Sequence, residues 1–278
     1  MGADGGPLFE LREELRCDPV AVRPRLVGFV RDQLATADLE RVVLGLSGGV
    51  DSALVAHLVA EAIGPDRLVC VLLPYRTSAP ASRSDAELVA RGLGCVTDLV
   101  DISPVVDAYF AERPEAPVLR RGNFMARTRM AVLYDRSAEL GALVAGTGNK
   151  TEALIGYTTM YGDNAYAFNP IGDLYKSQVR QLALAVGVPQ AIIRKPPSAD
   201  LWPGQTDEAE SGIAYPVLDR VLQLLVDEER SVDGVVAEGF ERSLVDRVAG
   251  LIAASAFKRA LPPVARLIRS RHAHLDHG

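Results

Sequence analysis

Ser47-Gly-Gly-Val-Asp-Ser52 decides how this chain is read. It follows the apolar run Arg41-Val-Val-Leu-Gly-Leu46 and leads into an amphipathic helical pattern from near Ala53. A strand that turns through paired glycines into a helix start gathers free backbone N–H groups and the positive end of the helix dipole around one point. Glycines let an anion approach that point closely. Ser47 and Ser52 add hydroxyl donors, and Asp51 offers a carboxylate for a Mg²⁺ on bound phosphates. The spacing is not Gly-x-x-x-x-Gly-Lys-Ser/Thr, so this is not a Walker A loop. The same residues would also make a tight strand-to-helix turn with no ligand.

Outward from the loop, strand and helix patterns alternate. Val22, Leu26, Phe29, Val30 and Leu34 recur at helical spacing and predict a helix before the first strand. Arg67–Pro74, Gly94–Asp101 and Ala142–Ala145 read as further strands, and Ser84–Leu93 and Arg127–Leu140 as helices. After Lys176 the pattern is helical: Ser177–Val186, Val217–Glu229 and Ser243–Ala256. This predicts an α/β fold, a doubly wound Rossmann-like parallel sheet with flanking helices and a helical C-terminal extension. Residues 1–278 are expected to form a single domain. Its parts are an N-terminal helix at about 20–37, a nucleotide-binding core at about 38–205 and a helical part at about 206–265. The segment 266–278, with His272, His274 and His277, reads as a flexible, solvated tail rather than a metal site. Ligands in such sheets bind beyond the carboxyl ends of the strands, near a topological switch point. Ser47–Ser52, Pro74–Ser78 and Gly146–Glu152 each follow a predicted strand, which places them on one rim.

Composition narrows the partners. Hydrophobic residues are 48% and charged residues 24%, ordinary values for a soluble globular protein. A net charge of −6 argues against nucleic acid as the main partner, because phosphate backbones demand clustered Lys and Arg. No run approaches the roughly 20 apolar residues of a membrane span. The N-terminal residues show neither a signal layout nor a myristoylation pattern, and a cytoplasmic location is the expectation. Cys17, Cys70 and Cys95 form no Cys-x-x-Cys pair and read as reduced residues, with Cys70 and Cys95 at core positions. His57 is the one histidine before the tail, and a packing or surface role is expected of it.

Five further segments carry polar residues where a fold alone would not ask for them. They are Leu73-Pro-Tyr-Arg-Thr-Ser78, Gly122-Asn-Phe-Met-Ala-Arg-Thr-Arg-Met130, Gly146-Thr-Gly-Asn-Lys-Thr-Glu152, Asn169-Pro-Ile-Gly-Asp-Leu-Tyr-Lys176 and the Lys195–Glu208 stretch. The Ser47–Ser52 loop resembles the pyrophosphate-binding loop of ATP enzymes that transfer AMP. With the five segments, in this order, the chain from about Val20 to Pro262 resembles the ammonia-dependent NAD synthetases.

The resemblance implies a ligase that amidates deamido-NAD with ammonia. ATP adenylates the nicotinate carboxylate and releases pyrophosphate; ammonia then displaces AMP. It puts the ATP phosphates on Gly45, Ser47, Gly48, Gly49, Asp51 and Ser52, with further ATP contacts at Thr147, Lys176 and Ser198. Asp51 and Glu152 align with magnesium carboxylates, so Asp51, Glu152 and Lys176 are the expected catalytic set. Arg127 aligns with a contact to the dinucleotide. Lys195–Gln205 aligns with a mobile cover that shields the acyl-adenylate from water, with Trp202 packing down on closure. A homodimer is implied, with substrate near the interface. No fused glutaminase is evident, so ammonia would arrive free or from a separate protein.

Three substrate-side positions depart from the familiar bacterial pattern. Met160 stands for a lysine, Ala167 for an aspartate, and Phe257 for the histidine of a His-Lys pair whose lysine is Lys258. The substitutions remove polar recognition while the ATP and magnesium positions are intact. Either the chain belongs to a branch with another way of binding deamido-NAD, or its acid is another aromatic or nucleotide carboxylate. An ATP-binding module without chemistry is a third reading, disfavoured by the paired carboxylates.

Overall fold

The protein is described from a computed structural model, which covers residues 9, 11–198, 200–202 and 204–265. The 266–278 tail and its histidines therefore lie outside the described residues. Four parallel strands form one sheet: β1 Arg41–Gly45, β2 Leu68–Leu72, β3 Val96–Leu99 and β4 Ala142–Ala145. Their order is β3-β2-β1-β4. The chain thus winds outward from β1 through β2 to β3, then returns to pair β4 on the other side of β1. The switch point lies between β1 and β4.

The described residues form twelve α-helices. In the first half they are α1 Pro19–Ala37, α2 Val50–Ile63, α3 Pro80–Leu93, α4 Ser103–Phe110, α5 Val118–Leu140 and α6 Lys150–Ile155. In the second half they are α7 Lys176–Ala185, α8 Gln190–Arg194, α9 Asp207–Ser211, α10 Tyr215–Leu222, α11 Val232–Ala237 and α12 Arg242–Ala254. A π-helical segment, Gln223–Asp227, continues α10.

Strand alternation sorts the core into layers. Val42, Leu44, Leu68, Cys70 and Leu72 pack with α1, α2, α3, α7 and α8 on one face. Val43, Val69 and Val71 face the other way, against Leu133 and Leu140 of α5. A separate core sits under the C-terminal helices, built from Leu218, Val221, Leu222, Val235, Val245 and Val248, with Leu154 of α6 and Tyr175 drawn into it. The helical extension is therefore packed onto the segments that follow β4, not appended to the sheet.

Some local expectations change. Helix α5 begins at Val118, after Pro117 and nine residues before the Arg127 start expected from pattern, and Gly122 lies inside it. A Cβ at Gly122 would sit 3.0 Å from Leu201 Cδ1 and 3.4 Å from Trp202 Cζ3, so the lid stretch needs this bare patch of helix. The helix expected over Val217–Glu229 starts at Tyr215 and passes into the π-helical segment. Cys70 is buried, whereas Cys95 is only half-buried, at the turn into β3; all three cysteines are free. Among the described residues no helix is long and apolar enough to cross a membrane.

Candidate active site

Two loops straddle the switch point: Leu46–Gly49 after β1, and Gly146–Asn149 after β4. The first is held closed by its own hydroxyls. Ser52 Oγ donates to Gly49 O at 3.1 Å and lies 3.0 Å from Ser47 Oγ, which accepts from Gly49 N. Gly48 has φ +80, and a Cβ there would lie 2.1 Å from Ser82 O, so no side chain fits. Behind this turn, α2 starts at Val50, and Asp51 falls in its first turn.

The second loop ends in a capping box. Asn149 Oδ1 accepts from Glu152 N at 3.0 Å, and Glu152 Oε2 accepts from Asn149 N at 3.2 Å. Asn149 is fully buried, and its Nδ2 donates to Asp51 Oδ1 at 3.0 Å. Asn149 therefore joins the two loops.

Lys176, the first residue of α7, completes the centre. Its Nζ lies 2.5 Å from Asp51 Oδ2 and 3.5 Å from Glu152 Oε1, with the ring of Tyr215 below at 5.5 Å. The lysine is 2% exposed. Burial alone would lower its pKa, but Asp51 and Glu152 overcome this and hold it firmly protonated. Burial raises the Glu152 carboxyl, against the lowering by Lys176, and nearby Asp51 and Asp207 raise it further. Two carboxylates are thus aimed at one cationic position.

Asp207, at the start of α9, extends this acidic group. Tyr215 Oη donates to its Oδ2 at 2.9 Å, while its buried Oδ1 has no hydrogen-bond partner among the described residues. The described residues before it pack against α3, the residue that precedes α3, and α5. Lys195 Nζ pairs with Asp85 at 3.0 Å, and Asp200 accepts from Ala79 N at 3.1 Å. Gln205 donates to Tyr157 Oη and Glu210 and accepts from Leu201 N.

Asp51, Glu152 and Lys176 are in direct contact, with Gly45, Ser47, Gly48, Gly49 and Ser52 leading into them. Thr147 is in the second loop, beside Gly146, where a Cβ would meet the Tyr166 ring at 2.5 Å. Ser198 is exposed in the stretch between α8 and α9, its Oγ accepting from Asp200 N at 3.0 Å.

Of the expected substrate-side residues, Met160 and Lys258 share a cavity that reaches Asn149 of this centre. Met160 and Lys258 line a cavity of about 410 Å³ with Asn149, Tyr161, Tyr166, Asn169 and Leu261. Arg127, exposed, donates from Nε to Met160 O at 3.1 Å. Lys258 Nζ donates to Gly156 O and Thr158 O, both at 2.7 Å, so two of its three N–H groups hold a turn. Ala167 extends along β4, its N–H donating to Val144 O, and Phe257 is 60% exposed. Neither is among the residues lining the cavity.

Sequence reading passed over Asn149, Asp207 and Arg129. The first had a legible signal, an Asn three residues before a Glu at a helix start. Arg129 Nε donates to Leu73 O at 3.0 Å, at the carboxyl end of β2, and burial lowers its pKa. It stood in a motif of which only Arg127 had been assigned.

Comparison with known proteins agrees with this geometry. The family described as NAD synthase matches residues 22–262. A curated relative from Trichlorobacter lovleyi, an NH(3)-dependent NAD(+) synthetase, is 52% identical over 246 residues, which cover 88% of this chain and 90% of that one. Among solved structures, the NMN synthetase from Francisella tularensis is similar with a TM-score of 0.80 and 31% identity, over 90% of this chain and 99% of that chain. The NH3-dependent NAD synthetase from Campylobacter jejuni gives a TM-score of 0.78 and 32% identity, over 90% and 100%. The chain belongs to the NAD synthase family.

Proposed function

We infer that this protein is an ATP-dependent ligase that converts the nicotinate carboxylate of deamido-NAD to the amide of NAD, with ammonia as nitrogen donor and AMP and pyrophosphate as products. The observation that carries this is the Asp51–Lys176–Glu152 group at the β1/β4 switch point, in a chain of this family. Curated relatives between 42% and 52% identical bear the NH(3)-dependent synthetase name, which favours this acid over an unrelated carboxylate.

The chain's residues fit the task. A carboxylate is a poor acyl donor, and adenylation supplies its leaving group. The backbone N–H groups and hydroxyls of Ser47–Ser52 bind phosphate oxygens at the start of α2. Lys176, kept protonated, places a positive charge beside them, so that charge developing on the departing pyrophosphate is met by fixed groups. Asp51 and Glu152 would hold a divalent magnesium ion; both are hard carboxylates close to the phosphate loop, and magnesium takes one or two carboxylates and completes its shell with phosphates and water. That ion would neutralise triphosphate charge. Among the described residues no group of three or more His, Cys, Asp or Glu forms a closed metal cage, in keeping with a site shared with a nucleotide. The lid, pinned through Lys195, Asp200 and Gln205, excludes water from the adenylate. Ser198 and Thr147 contribute ATP contacts, and Arg127, Met160, Ala167, Phe257 and Lys258 contact the acid.

A homodimer fits the surface. Val105 and Tyr109 of α4 and Val118 and Leu119 of α5 are 41–63% exposed, an apolar patch on adjacent helices.

The test is ATP- and ammonium-dependent pyrophosphate release with a panel of acids that includes deamido-NAD and nicotinate mononucleotide, followed by mass spectrometry of the product. NAD formation with the highest kcat/KM is the expected result. Turnover confined to another acid overturns the reading.

A further inference from the structure

Lys176 and Glu152 begin two different helices, and their separation depends on how α6 and α7 start. Both starts are tied to one continuous helix of the C-terminal extension. Asp219 of α10 is fully buried, with no exposed surface. Its Oδ1 accepts from Thr151 Oγ1 at 2.6 Å, and its Oδ2 accepts from Ser177 N at 2.8 Å and Ser177 Oγ at 2.6 Å. Thr151 Oγ1 in turn accepts from Lys176 N at 3.0 Å. One carboxylate thus fixes the residue before Glu152, the residue after Lys176 and, through Thr151, the Lys176 backbone.

A second carboxylate repeats the arrangement one turn pair further on. Asp227 Oδ1 accepts from Lys150 Nζ at 2.7 Å and Oδ2 from Tyr175 Oη at 3.0 Å. Lys150 and Tyr175 are the residues just before Thr151 and Lys176. Eight residues of regular α-helix would set Asp227 about 80° around from Asp219. The π-helical Gln223–Asp227 segment takes up an extra residue per turn, which returns Asp227 to nearly the same face. The π-helical turn has a purpose here: it lines up two acids on one pair of helix ends.

We propose that Asp219, with Asp227 as its outer partner, is a positioning residue for the reaction: the Tyr215–Asp227 helix is a clamp that sets the distance between Glu152 and Lys176. Asp219 takes one backbone N–H and one hydroxyl from Ser177 of α7 and one hydroxyl from Thr151 of α6, and two helix starts joined through one carboxylate cannot shift independently. Asp219 thereby acts on the site through Thr151 and Ser177. This inference rests on Lys176 and Glu152 acting in adenylation.

Thr151→Val and Ser177→Ala carry the test, because each deletes one hydroxyl bond to Asp219 with little change of shape. Asp219→Asn and Lys176→Met are measured beside them. Val245→Ala, on α12 in the same C-terminal core but outside the hydrogen bonds of the clamp, is the control for plain loss of stability. Thr151→Val and Ser177→Ala are expected to lower kcat for pyrophosphate release by about 10- to 100-fold, with the KM for ATP within about threefold. Neither effect should add to that of Asp219→Asn in double variants. Val245→Ala should lower the melting temperature at least as much and keep kcat within about twofold. Folded Thr151→Val and Ser177→Ala proteins with wild-type kcat would overturn the clamp, as would a Val245→Ala variant whose kcat falls as far as theirs. Wild-type turnover by Lys176→Met would instead overturn the site assignment on which the clamp depends.

Discussion

Lys176 Nζ and Asp51 Oδ2 meet at 2.5 Å across 125 residues of chain, and this contact joins the end of the phosphate loop to the start of α7. The ammonium is almost wholly buried, so its charge is compensated by Asp51 and Glu152 rather than by water. Asp51→Asn is therefore expected to do two things. Pyrophosphate release should fall by at least about 100-fold, because the amide is a poor ligand for magnesium and a weak partner for Lys176. Stability should fall by about 1–3 kcal/mol, since Glu152 is left to compensate the lysine alone. Urea denaturation and pyrophosphate release across a magnesium series measure both; wild-type release at low magnesium would remove Asp51 from the metal role.

Gly48 makes a separate, sterically defined prediction. A methyl group at φ +80 would meet Ser82 O at 2.1 Å, and Ser82 also accepts from Lys195 Nζ in the lid. Gly48→Ala should cost about 1–3 kcal/mol from backbone strain and displacement of the Ser82 turn. It should also raise the KM for ATP more than a surface Gly→Ala change, such as Gly92→Ala, where no atom lies within 4 Å. Equal kinetics in the two variants would show that the close approach has no bearing on nucleotide binding.

The strand framework was legible in the sequence because buried parallel strands are short unbroken apolar runs, and Ala142–Ala145 was read to the residue. Helix starts were less legible. Gly122 carries a helix-breaking signal, yet it lies inside α5 because Leu201 and Trp202 pack on it, a tertiary reason that no local pattern contains. The site divides the same way. Asp51, Glu152 and Lys176 were found through motif order and meet in space. Asp219 was not, since its partners lie 42 and 68 residues away and its only trace is an acid among the apolar positions of a helix.

The apolar substitutions on the substrate side bear on specificity. Met160 lines the cavity, while Phe257 is exposed and Ala167 is held along β4. Restoring the familiar set with Met160→Lys, Ala167→Asp and Phe257→His should leave turnover of deamido-NAD little altered or damage it, because of the three only Met160 lines the cavity, where a lysine would replace an apolar side chain. A clear rise in kcat/KM for deamido-NAD would indicate that this pocket has drifted toward a different acid.

His57 gives a pH prediction without any catalytic role. Its Nδ1–H donates to Ala53 O at 2.8 Å, fixing the tautomer. Burial lowers its pKa and nearby Arg23 lowers it further, against the raising effect of that hydrogen bond. The unfolded chain therefore binds the proton more readily, so this stability is present above about pH 6.5 and lost as pH falls through the depressed folded value. His57→Gln should narrow the difference in urea midpoint between about pH 7.5 and pH 5.5. An unchanged difference would place the acid sensitivity elsewhere.

The nitrogen donor can be tested directly. Hydrolysis of glutamine needs an activated nucleophile with its own base, and Cys70 is buried in the sheet with its thiol pKa raised by its Cys95 neighbour and by burial. Burial likewise raises Cys17. The protein should form NAD from ammonium salts, faster as pH rises and free NH₃ replaces NH₄⁺. Sustained product from glutamine after enzymatic removal of ammonia would refute ammonia as the direct donor.

The clamp from Asp219 to Ser177 and Thr151 also bears on biosynthesis. The sheet is complete once Ala145 has emerged from the ribosome, but the helix that aligns Lys176 with Glu152 is made some 70 residues later. A nascent chain would thus own a finished nucleotide fold while its reactive centre was still unaligned. On refolding from denaturant, the parallel-sheet signal should return before turnover does, and the lag between them would time the docking of the C-terminal helices.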